Sequence, residues 1–396
     1  MRIGINALFQ ASGGSLTNMI QVIEEWETMG AFDDHEFVLF SSTFTQQRLK
    51  QELTPRLLKR VKNITSDSKN LISRLYFEQI DLLRQISRYN IDVLYCPANI
   101  MPLAIDVPSV VLFQNAAPFC PSVTRQSVGL RMWLRLRVLG LFVRLSAQRA
   151  SRVIFISEYF RDLFVRQFVF PIEKGVVIYR AQSRIGHQGN QNRQIEQGYR
   201  IKRPYILTVA HLNPYKNILQ LIEGFVLACR QRKIKDMQLV IAGHQYHMGY
   251  YEQIRALINR LGVSEGEVNL IGGIPHQNVV NLLANCEIYA FSSTCENCPT
   301  ALIEALSVGV PIACSNVGVM PEIGGDAVQY FNPYDVKDIA SVLGELMTNS
   351  NLRDQLRIKA IGQADRFPNA TEVARQTLLT IEQAYQENNN SILSSQ

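Results

Sequence analysis

Short apolar runs rich in β-branched residues alternate with helical stretches along most of this 396-residue chain. The runs cover residues 3–5, 37–40, 93–95, 109–113 and 153–156 in the first half, and residues 205–209, 239–242, 268–271, 288–291 and 311–314 in the second. Strands that alternate with helices form parallel sheets, because the chain crosses back through a helix before it starts the next strand. The pattern therefore predicts an α/β architecture.

The segment 182–200 interrupts this alternation. It is rich in Gln, Asn, Gly and Arg, and its large aliphatic side chains are Ile185 and Ile195, which is typical of an interdomain linker or a mobile loop. We therefore predict a first domain over residues 1–181 and a second over residues 201–367. Helical spacing of apolar side chains predicts a further helix over residues 371–386, and we expect the polar residues 387–396 to be disordered.

The seven cysteines are scattered along the chain, and only Cys295 and Cys298 form a CxxC pair. An odd, scattered set excludes a disulfide scaffold and favours reduced thiols in the cytoplasm. The pair lacks a second CxxC and a histidine at zinc-ligand spacing, so we expect no metal there. Because the N-terminus lacks signal-peptide features and no segment has the roughly 18 uninterrupted apolar residues of a membrane-spanning helix, we expect a soluble protein or a peripheral one on the cytoplasmic membrane face.

Basic residues are concentrated in residues 125–152, which contain seven arginines and no Asp, Glu or Lys. These arginines account for the whole formal net charge of +6. Because the segment is also apolar, it could lie on an anionic membrane surface. It could equally be a core helix whose arginines reach solvent around its rim, since Arg131 and Arg135 fall on the opposite side of a helix from Arg137 and Arg144. Nucleic-acid binding is not expected, because no recognition motif is present.

The stretch 293–311 combines two acidic residues with a helix start. Pro299 suits the first turn of a helix, and residues 300–307 are good helix formers that end near Gly309. The free amides around residues 297–301 would then form a phosphate site. Glu296 precedes this site and Glu304 lies more than a turn into the helix, so the two carboxylates could bind different parts of one phosphate-containing ligand. Alternatively, Glu304 pairs with a surface Lys or Arg and the loop is only a tight strand-to-helix turn.

The same stretch resembles the retaining nucleotide-sugar glycosyltransferases of glycosyltransferase family 4, which have the GT-B fold. It contains the family's Glu, seven residues and a second Glu, here Glu296 and Glu304. Other similar segments follow in the expected order: the glycine loop at Gly13 and Gly14, then residues 74–97, 153–164, 205–217, 239–243 and 272–293. The resemblance covers nearly the whole chain. It implies two Rossmann-like, doubly wound domains that face each other across a cleft, with the C-terminal helix packed on the first.

The resemblance also implies a donor site. Glu304 would hydrogen-bond the ribose hydroxyls of the nucleotide, Glu296 would face hydroxyls of the transferred sugar, and Lys216 would neutralise the diphosphate as negative charge develops on it. Glycines in the first domain would let the backbone approach the diphosphate, and residues near Gly243 and Ile274 would lie by the nucleobase. The implied donor-binding residues are Gly13, Gly14, His211, Lys216, Gly243, Ile274, Glu296, Asn297, Cys298, Pro299, Thr300, Ala301 and Glu304.

The chain departs from the family pattern at two places. The family usually has Arg a few residues before the conserved Lys, whereas this chain has His211, a weaker and pH-dependent cation. Many members have a His after the fourth strand of the first domain, where this chain has Gln114 and Asn115. Neither amide can act as a base, so we expect a front-face displacement in which a departing phosphate oxygen takes the acceptor proton. The implied catalytic residues are Glu296 and Lys216, with Asn115 positioning the reacting groups.

The resemblance predicts transfer of a hexosyl group from a nucleoside-diphosphate sugar to a hydroxyl of a glycan or lipid-linked glycan, with retention at the anomeric carbon, as in surface polysaccharide biosynthesis. No cofactor and no metal are expected, because the sequence has no Asp-x-Asp pair to hold a divalent cation. Two alternatives remain open. The departures at His211, Gln114 and Asn115 would suit an inactive homologue that binds a nucleotide sugar or a partner protein, and a GT-B nucleotide-sugar epimerase would need no acceptor.

Overall fold

The computed structural model describes residues 1–8, 14–66, 76–182, 193–264 and 266–394 of the chain. The chain divides into two compact units. Unit 1 comprises Met1–Phe119, Leu134–Ala181 and Pro368–Gln396, and unit 2 comprises Cys120–Trp133 and Gln182–Phe367. Each unit is built around one parallel β-sheet, and helices lie between most successive strands; a loop alone joins Cys96 to Ser109. The predicted α/β class is confirmed.

The sheet of unit 1 has seven strands in the order β3-β2-β1-β4-β5-β6-β7. They are β1 (Arg2–Ala7), β2 (Glu36–Ser42), β3 (Val61–Ser66), β4 (Val93–Cys96), β5 (Ser109–Phe113), β6 (Arg152–Phe155) and β7 (Gly175–Val177). All neighbouring pairs run parallel, and Ile3 of β1 lies opposite Phe37 of β2 on one side and Val93 of β4 on the other. β4 and β5 are buried along their whole length, which explains why they are continuous apolar runs in the sequence.

The sheet of unit 2 has six parallel strands in the order β10-β9-β8-β11-β12-β13. They are β8 (Tyr205–Val209), β9 (Gln238–Ala242), β10 (Val268–Gly272), β11 (Ile288–Phe291), β12 (Ile312–Ser315) and β13 (Gln329–Phe331). The strand order reverses between β8 and β11, which are neighbours in the sheet but not along the chain. Ligands of doubly wound sheets bind at the carboxyl ends of the strands at such a reversal. The carboxyl ends of β8 and β11 are therefore the expected place for a ligand.

Helices connect these strands. In chain order the α-helices are α1 (Gly14–Thr28), α2 (Ala31–Asp34), α3 (Thr43–Glu52), α4 (Pro55–Arg60), α5 (Leu82–Arg88), α6 (Arg125–Val128), α7 (Leu130–Arg149), α8 (Glu158–Gln167), α9 (Arg193–Gly198), α10 (Ile218–Arg232), α11 (Met248–Leu261), α12 (His276–Asn285), α13 (Thr300–Val308), α14 (Met320–Gly324), α15 (Val336–Thr348), α16 (Ser350–Ala364) and α17 (Ala370–Ser394). A π-helical turn lies at Phe77–Asp81, and 3-10 turns lie at Ile172–Lys174 and Pro214–Lys216. α17 packs within unit 1, where the indole Nε1 of Trp26 donates to the carbonyl of Ala374 over 2.9 Å.

The observed organisation differs from the predicted domain boundaries at three places. α17 extends to Ser394, so residues 387–394 are helical rather than disordered, and Arg152 Nε donates to a carboxylate oxygen of Glu387 over 3.1 Å. Residues 193–198 form α9 rather than a linker, because the buried carboxylate of Glu196 accepts from Arg203 Nη2 over 2.8 Å. Residues 183–192 lie outside the described residues. Residues 120–133 belong to unit 2 rather than to the first domain.

α7, which carries most of the clustered arginines, is largely exposed. Its buried residues are Val143, Ser146 and Ala147, all in its second half. Its exposed large apolar side chains are Leu130, Met132, Leu134, Val138 and Leu141. The interpretation of this segment as a core helix is therefore wrong for the first half of α7, which buries no residue. Across the described ranges of the chain, no helix is both long and apolar enough to cross a membrane.

Gly243, directly after β9, occupies a position where a larger residue does not fit. A Cβ there would lie 1.8 Å from the carbonyl oxygen of Ala210, a backbone atom that has no freedom to move aside. We expect Gly243→Ala to lower the free energy of unfolding by about 1–3 kcal/mol. The matched control is Gly362→Ala in α16, which has no atom within 4 Å of the added Cβ and should gain about 0.5–1 kcal/mol. Urea unfolding measures both changes, and equal stability of the two variants would contradict the close approach at Gly243.

Candidate functional site

The loop after β11 leads into α13 as the sequence predicts. The helix begins at Thr300, and Pro299 is its N-cap residue. It ends at Val308, and Gly309 follows with a φ of 74°, the left-handed conformation that favours glycine. The first amides of a helix have no partner within the helix and carry partial positive charge. This end of α13 is therefore suited to bind an anion.

The predicted donor residues around this helix start differ in exposure. Asn297 and Cys298 are buried, Ala301 is half-buried and Thr300 is exposed. The carbonyl of Pro299 accepts from the amides three and four residues further along, over 3.0 and 3.2 Å. The buried residues support the loop, and the first turn of the helix is the part that is open to a ligand.

Lys216 and Glu296 form an ion pair next to this helix start. Lys216 Nζ donates to Glu296 Oε1 over 2.5 Å, and the two side chains are only 17% and 14% exposed. Lys216 ends the 3-10 turn that follows β8. Two hydrogen bonds attach this turn to the loop after β11: Ser292 Oγ donates to the carbonyl of Lys216 over 2.8 Å, and the amide of Thr294 donates to the carbonyl of Tyr215 over 2.8 Å. The pair therefore lies where the carboxyl ends of β8 and β11 meet.

Lys216 keeps its positive charge in this ion pair. Burial works against the charge on Lys216, but the Glu296 carboxylate and the Tyr215 phenol outweigh it and raise the pKa of the ammonium group. A lysine ammonium has three N–H donors, so Lys216 can hold Glu296 and still donate to a second anion. Lys216 therefore places a positive charge beside the helix start, and Glu296 holds that charge in position.

His211 contributes an uncharged imidazole ring to this region rather than a positive charge. Burial, followed by the positive charge of Lys216 and the neighbouring His244, lowers the pKa of His211 below its usual value. Its imidazole is therefore mostly neutral at pH 7, unlike the arginine that the family usually has there. The ring centroid lies 5.7 Å from that of His244 and 4.7 Å from that of Tyr246. We call these three side chains, which follow β8 and β9, the ring cluster.

The two residues predicted to lie by the nucleobase are close to the ring cluster. The amide of Gly243 donates to the carbonyl of Gly272 over 2.8 Å, which joins the ends of β9 and β10. His244 lies against Gly273, where a Cβ would be 2.1 Å from its ring. Ile274 follows directly and is half-buried. The sequence identified this region by its glycines but did not indicate that His244 fills the space over Gly273.

Glu304 pairs with His276, a contact that the sequence did not predict. His276 Nε2 lies 2.9 Å from Glu304 Oε1, with the imidazole 66% exposed and the carboxylate 13% exposed. The hydrogen bond to Glu304 raises the pKa of His276. His276 is the first residue of α12. Glu304 thus pairs with a histidine, whereas the alternative considered from the sequence was a surface Lys or Arg.

The remaining predicted residues belong to unit 1. Gly14 begins α1, and Gly13 lies outside the described residues. The amide of Asn115 donates to Asn99 Oδ1 over 2.8 Å, and its own Oδ1 accepts from the amide of Ala117 over 3.0 Å. Gln114 Oε1 accepts from Arg180 Nη2 over 2.5 Å. Both amide side chains are therefore part of the loop structure after β5.

A disulfide corrects the expectation that all thiols are reduced. Cys120 and Cys295 are bonded, with their Cα atoms 5.9 Å apart and a separation of 175 positions in sequence. Ser122 Oγ also donates to the carbonyl of Thr294 over 3.0 Å. These contacts hold residues 120–133 on unit 2 and place the crosslink directly before Glu296. Cys295 is thus not part of a CxxC site with Cys298, because its sulfur is bonded to a distant cysteine.

Two family models match the chain. The model described as Glycosyl transferases group 1 matches residues 191–363, and the model described as Glycosyltransferase Family 4 matches residues 13–181. The chain belongs to the family 4 glycosyltransferases. The predicted resemblance is confirmed, and the Lys216–Glu296 and His276–Glu304 pairs of this glycosyltransferase both lie within the part matched by the group 1 model.

Relatives of this glycosyltransferase are themselves sugar-transferring enzymes. It is 25% identical over 236 residues to the O-antigen chain mannosyltransferase B of Escherichia coli, a match that covers 59% of this chain and 61% of that protein. It is 27% identical over 186 residues to the MMP alpha-(1->4)-mannosyltransferase of Mycolicibacterium hassiacum, covering 46% of this chain and 44% of that protein. A match to the Escherichia coli serotype-specific mannosyltransferase WbdA covers 22% of that protein. The chain therefore spans at most about three fifths of the length of these relatives.

Solved structures share the fold of this glycosyltransferase. Anabaena HepE in complex with UDP-glucose has a TM-score of 0.74 at 17% sequence identity, covering 97% of this chain and 100% of that chain. WaaG, a glycosyltransferase involved in lipopolysaccharide biosynthesis, has a TM-score of 0.72 at 16% identity, covering 96% of this chain and 99% of that chain. Together with the two parallel sheets, these likenesses confirm the predicted GT-B fold with Rossmann-like domains.

Proposed function

We propose that this glycosyltransferase transfers a hexosyl group from a nucleoside-diphosphate sugar to a hydroxyl of a glycan or lipid-linked glycan, with retention at the anomeric carbon. The observation that carries the proposal is the Lys216–Glu296 ion pair at the start of α13, with Glu304 further along the same helix. Mannose is the first sugar to test, because several relatives are named mannosyltransferases. The O-antigen role of one relative suits an acceptor from surface polysaccharide biosynthesis.

The donor would bind along the carboxyl edge of the unit 2 sheet. The ammonium of Lys216 and the first amides of α13 would receive the diphosphate, since both favour an anion. The carboxylate of Glu296 would accept hydrogen bonds from the transferred sugar, and that of Glu304 from the ribose. Hydroxyl groups are the natural donors to carboxylate oxygens. The ring cluster, beside Gly243 and Ile274, would lie near the nucleobase.

The reaction would proceed on one face of the sugar. The bond between the anomeric carbon and the diphosphate oxygen breaks, and the acceptor oxygen bonds to the same face of that carbon. The leaving phosphate oxygen takes the acceptor proton, so no protein base is required. Lys216 stabilises the negative charge that grows on the phosphate, and Asn115 positions reacting groups. We propose that no metal takes part, because the sequence has no Asp-x-Asp pair and Lys216 with the helix amides supplies the positive charge.

The test is a transfer assay in the presence of EDTA. Purified protein is incubated with UDP-, GDP- and ADP-hexoses and with lipid-linked and free glycan acceptors, and NMR reads the anomeric configuration of the product. Transfer with retention supports the proposal, and inversion or strict dependence on a metal contradicts it.

The same assay separates the two alternatives. Conversion of the donor to an isomer without acceptor identifies an epimerase. Donor binding without any turnover identifies an inactive homologue, for which the neutral ring of His211 in place of arginine is the supporting observation. The retained Lys216–Glu296 pair argues against inactivity, because a protein that only binds a partner has no use for a charged pair in this position.

We also propose that α7 contacts an anionic membrane surface, which would bring the enzyme to a lipid-linked acceptor. The first half of α7 buries no residue and presents exposed apolar side chains among arginines. Apolar burial together with positive charge is the combination that holds helices at anionic bilayers.

Replacing Arg131, Arg135 and Arg137 with Gln should weaken binding to phosphatidylglycerol vesicles about 100-fold, since each basic residue near an anionic surface contributes about 1 kcal/mol. Vesicle co-sedimentation measures the change. The control replaces three exposed arginines outside α7 with Gln, namely Arg84, Arg230 and Arg260. Equal losses in both triple variants, or equal binding of the native protein to phosphatidylcholine vesicles, would rule out a membrane contact through α7.

A further inference from the structure

Glu304 is already engaged by a side chain of the protein itself. His276 Nε2 lies 2.9 Å from Glu304 Oε1. A ribose diol is recognised best by both oxygens of one carboxylate, because its two hydroxyls are adjacent donors. The imidazole occupies one acceptor direction of Oε1, so a diol that approaches the carboxylate along that direction must displace the ring.

The two partners differ in their freedom to move. The Glu304 side chain is 13% exposed and lies on α13, whereas the His276 side chain is 66% exposed and is the first residue of α12. The imidazole can turn into solvent while the carboxylate stays in place. The pair is thus arranged so that the histidine yields and the glutamate remains to bind a ligand.

We propose that His276 competes with the ribose diol of the donor for the carboxylate of Glu304, so that donor affinity is lowest when His276 is protonated. The inference rests on the proposed function, because it takes Glu304 to be the ribose-binding group. His276 acts here as a positioning residue: it determines whether Glu304 is open to the ligand and does not itself touch the reacting atoms.

The direction of the pH dependence follows from the pair. The hydrogen bond to Glu304 raises the pKa of His276, so the charged form is retained to higher pH than in a free histidine. Below that pKa the bond to Glu304 is charge-assisted and strong, and above it the bond weakens. Donor affinity should therefore rise as pH rises through the pKa of His276.

Other titratable groups around the pair do not reproduce this behaviour. Tyr289 on β11 faces Glu304, but burial and then the carboxylates of Glu304 and Glu296 raise its pKa far above the neutral range, so it stays uncharged. Glu296 is paired with Lys216. His211 titrates below its usual range and lies in the ring cluster after β8 and β9. Comparing a nucleoside diphosphate with a ligand that lacks the diol but keeps the diphosphate separates the contribution of Glu304 from that of these other titratable groups.

The experiment compares a nucleoside diphosphate with its 2′,3′-dideoxy counterpart on the full chain. UDP, GDP and ADP are each titrated by calorimetry with EDTA between about pH 6 and pH 8.5, the range in which a histidine near its usual pKa titrates. For the native protein, the affinity ratio of the diol ligand to the dideoxy ligand should increase about two- to fivefold across this range, the size expected for a pair with an exposed partner. For His276→Ala, the ratio should be high and independent of pH.

His35→Ala is the matched control. His35 forms a similar pair with Glu382 in unit 1, with His35 Nε2 3.0 Å from Glu382 Oε1. This variant removes a His–Glu pair without changing Glu304, so its affinity ratio should follow that of the native protein. With turnover as a second readout, His276→Ala should lower the donor KM at acid pH and leave kcat unchanged.

Two results would contradict this inference and leave the proposed function intact. The first is a lower ratio for His276→Ala at every pH, which would show that the histidine supports ribose binding. The second combines two observations. Glu304→Gln removes the preference for the diol ligand over the dideoxy ligand, while His276→Ala keeps the pH dependence of the affinity ratio that the native protein shows. Absence of binding by all three nucleotides to the native protein and to His276→Ala would instead contradict the proposed function, and the inference with it.

Discussion

Lys216→Ala is expected to lower kcat/KM for transfer by a factor of about 10²–10³, the loss typical of removing one preorganised group that stabilises developing negative charge. Lys216 is held 2.5 Å from Glu296 in a site where both side chains are largely buried, so its charge acts at low effective dielectric and costs no reorganisation during the reaction. The neutral ring of His211 adds no second charge. Transfer kinetics with the preferred donor measure the effect.

The control for this variant is Lys235→Ala, which removes an exposed lysine from the same unit and should leave kcat/KM unchanged. A second comparison separates loss of function from loss of folding. Lys216→Ala leaves Glu296 without its cation, and should destabilise the protein by about 1–3 kcal/mol, whereas Lys216→Met combined with Glu296→Gln should recover part of that loss. If Lys216→Ala retains full turnover, the assignment of Lys216 to the leaving phosphate is wrong.

Glu304→Gln is expected to remove the stabilisation that a nucleoside diphosphate provides. A ligand at about 100 times its dissociation constant stabilises the folded protein by about 2.7 kcal/mol, which is a rise of a few degrees in melting temperature. A neutral amide accepts ribose hydroxyls through one oxygen rather than two, so the variant should show little of this shift. Thermal unfolding with UDP, GDP and ADP in EDTA measures it.

Glu345→Gln is the matched control for that experiment, because Glu345 is an exposed carboxylate on α15 of the same unit. It should show the native shift with the same nucleotide. A full shift in Glu304→Gln would contradict ribose binding by Glu304. Loss of the shift in both variants would indicate a general effect of charge on nucleotide binding rather than a specific contact.

The strands that the sequence missed show the limit of apolar patterning. β3 has the sequence VKNITS and lies at one edge of the unit 1 sheet. β7 and β13 have three residues each; β7 lies at the opposite edge of that sheet and β13 at one edge of the unit 2 sheet. Edge strands have one neighbour and accept polar or short sequences. The central strands, which are buried on both faces, are the ones that continuous apolar runs predict.

The residues missed in the site were those whose role depends on a partner. His276 was not among the predicted site residues, because neither its neighbours in sequence nor its spacing indicates Glu304, 28 residues away. Cys120 and Cys295 were interpreted as reduced for the same reason. α7 remained ambiguous because its arginines surround the helix, and only its exposure in the folded chain excluded a core position for its first half.

By itself, the sequence determined the positions of the central strands, the start and end of α13 and the residue types available for chemistry, because these depend on apolar spacing and on Pro299 and Gly309 within short stretches. Only the tertiary structure decided which residues meet, namely Lys216 with Glu296, His276 with Glu304 and Cys120 with Cys295. β8 and β11 are neighbours in the sheet although β9 and β10 lie between them along the chain. Strand order is set by the packing of the whole sheet, so the local sequence around Lys216 contains no signal for the loop that brings Glu296 to it.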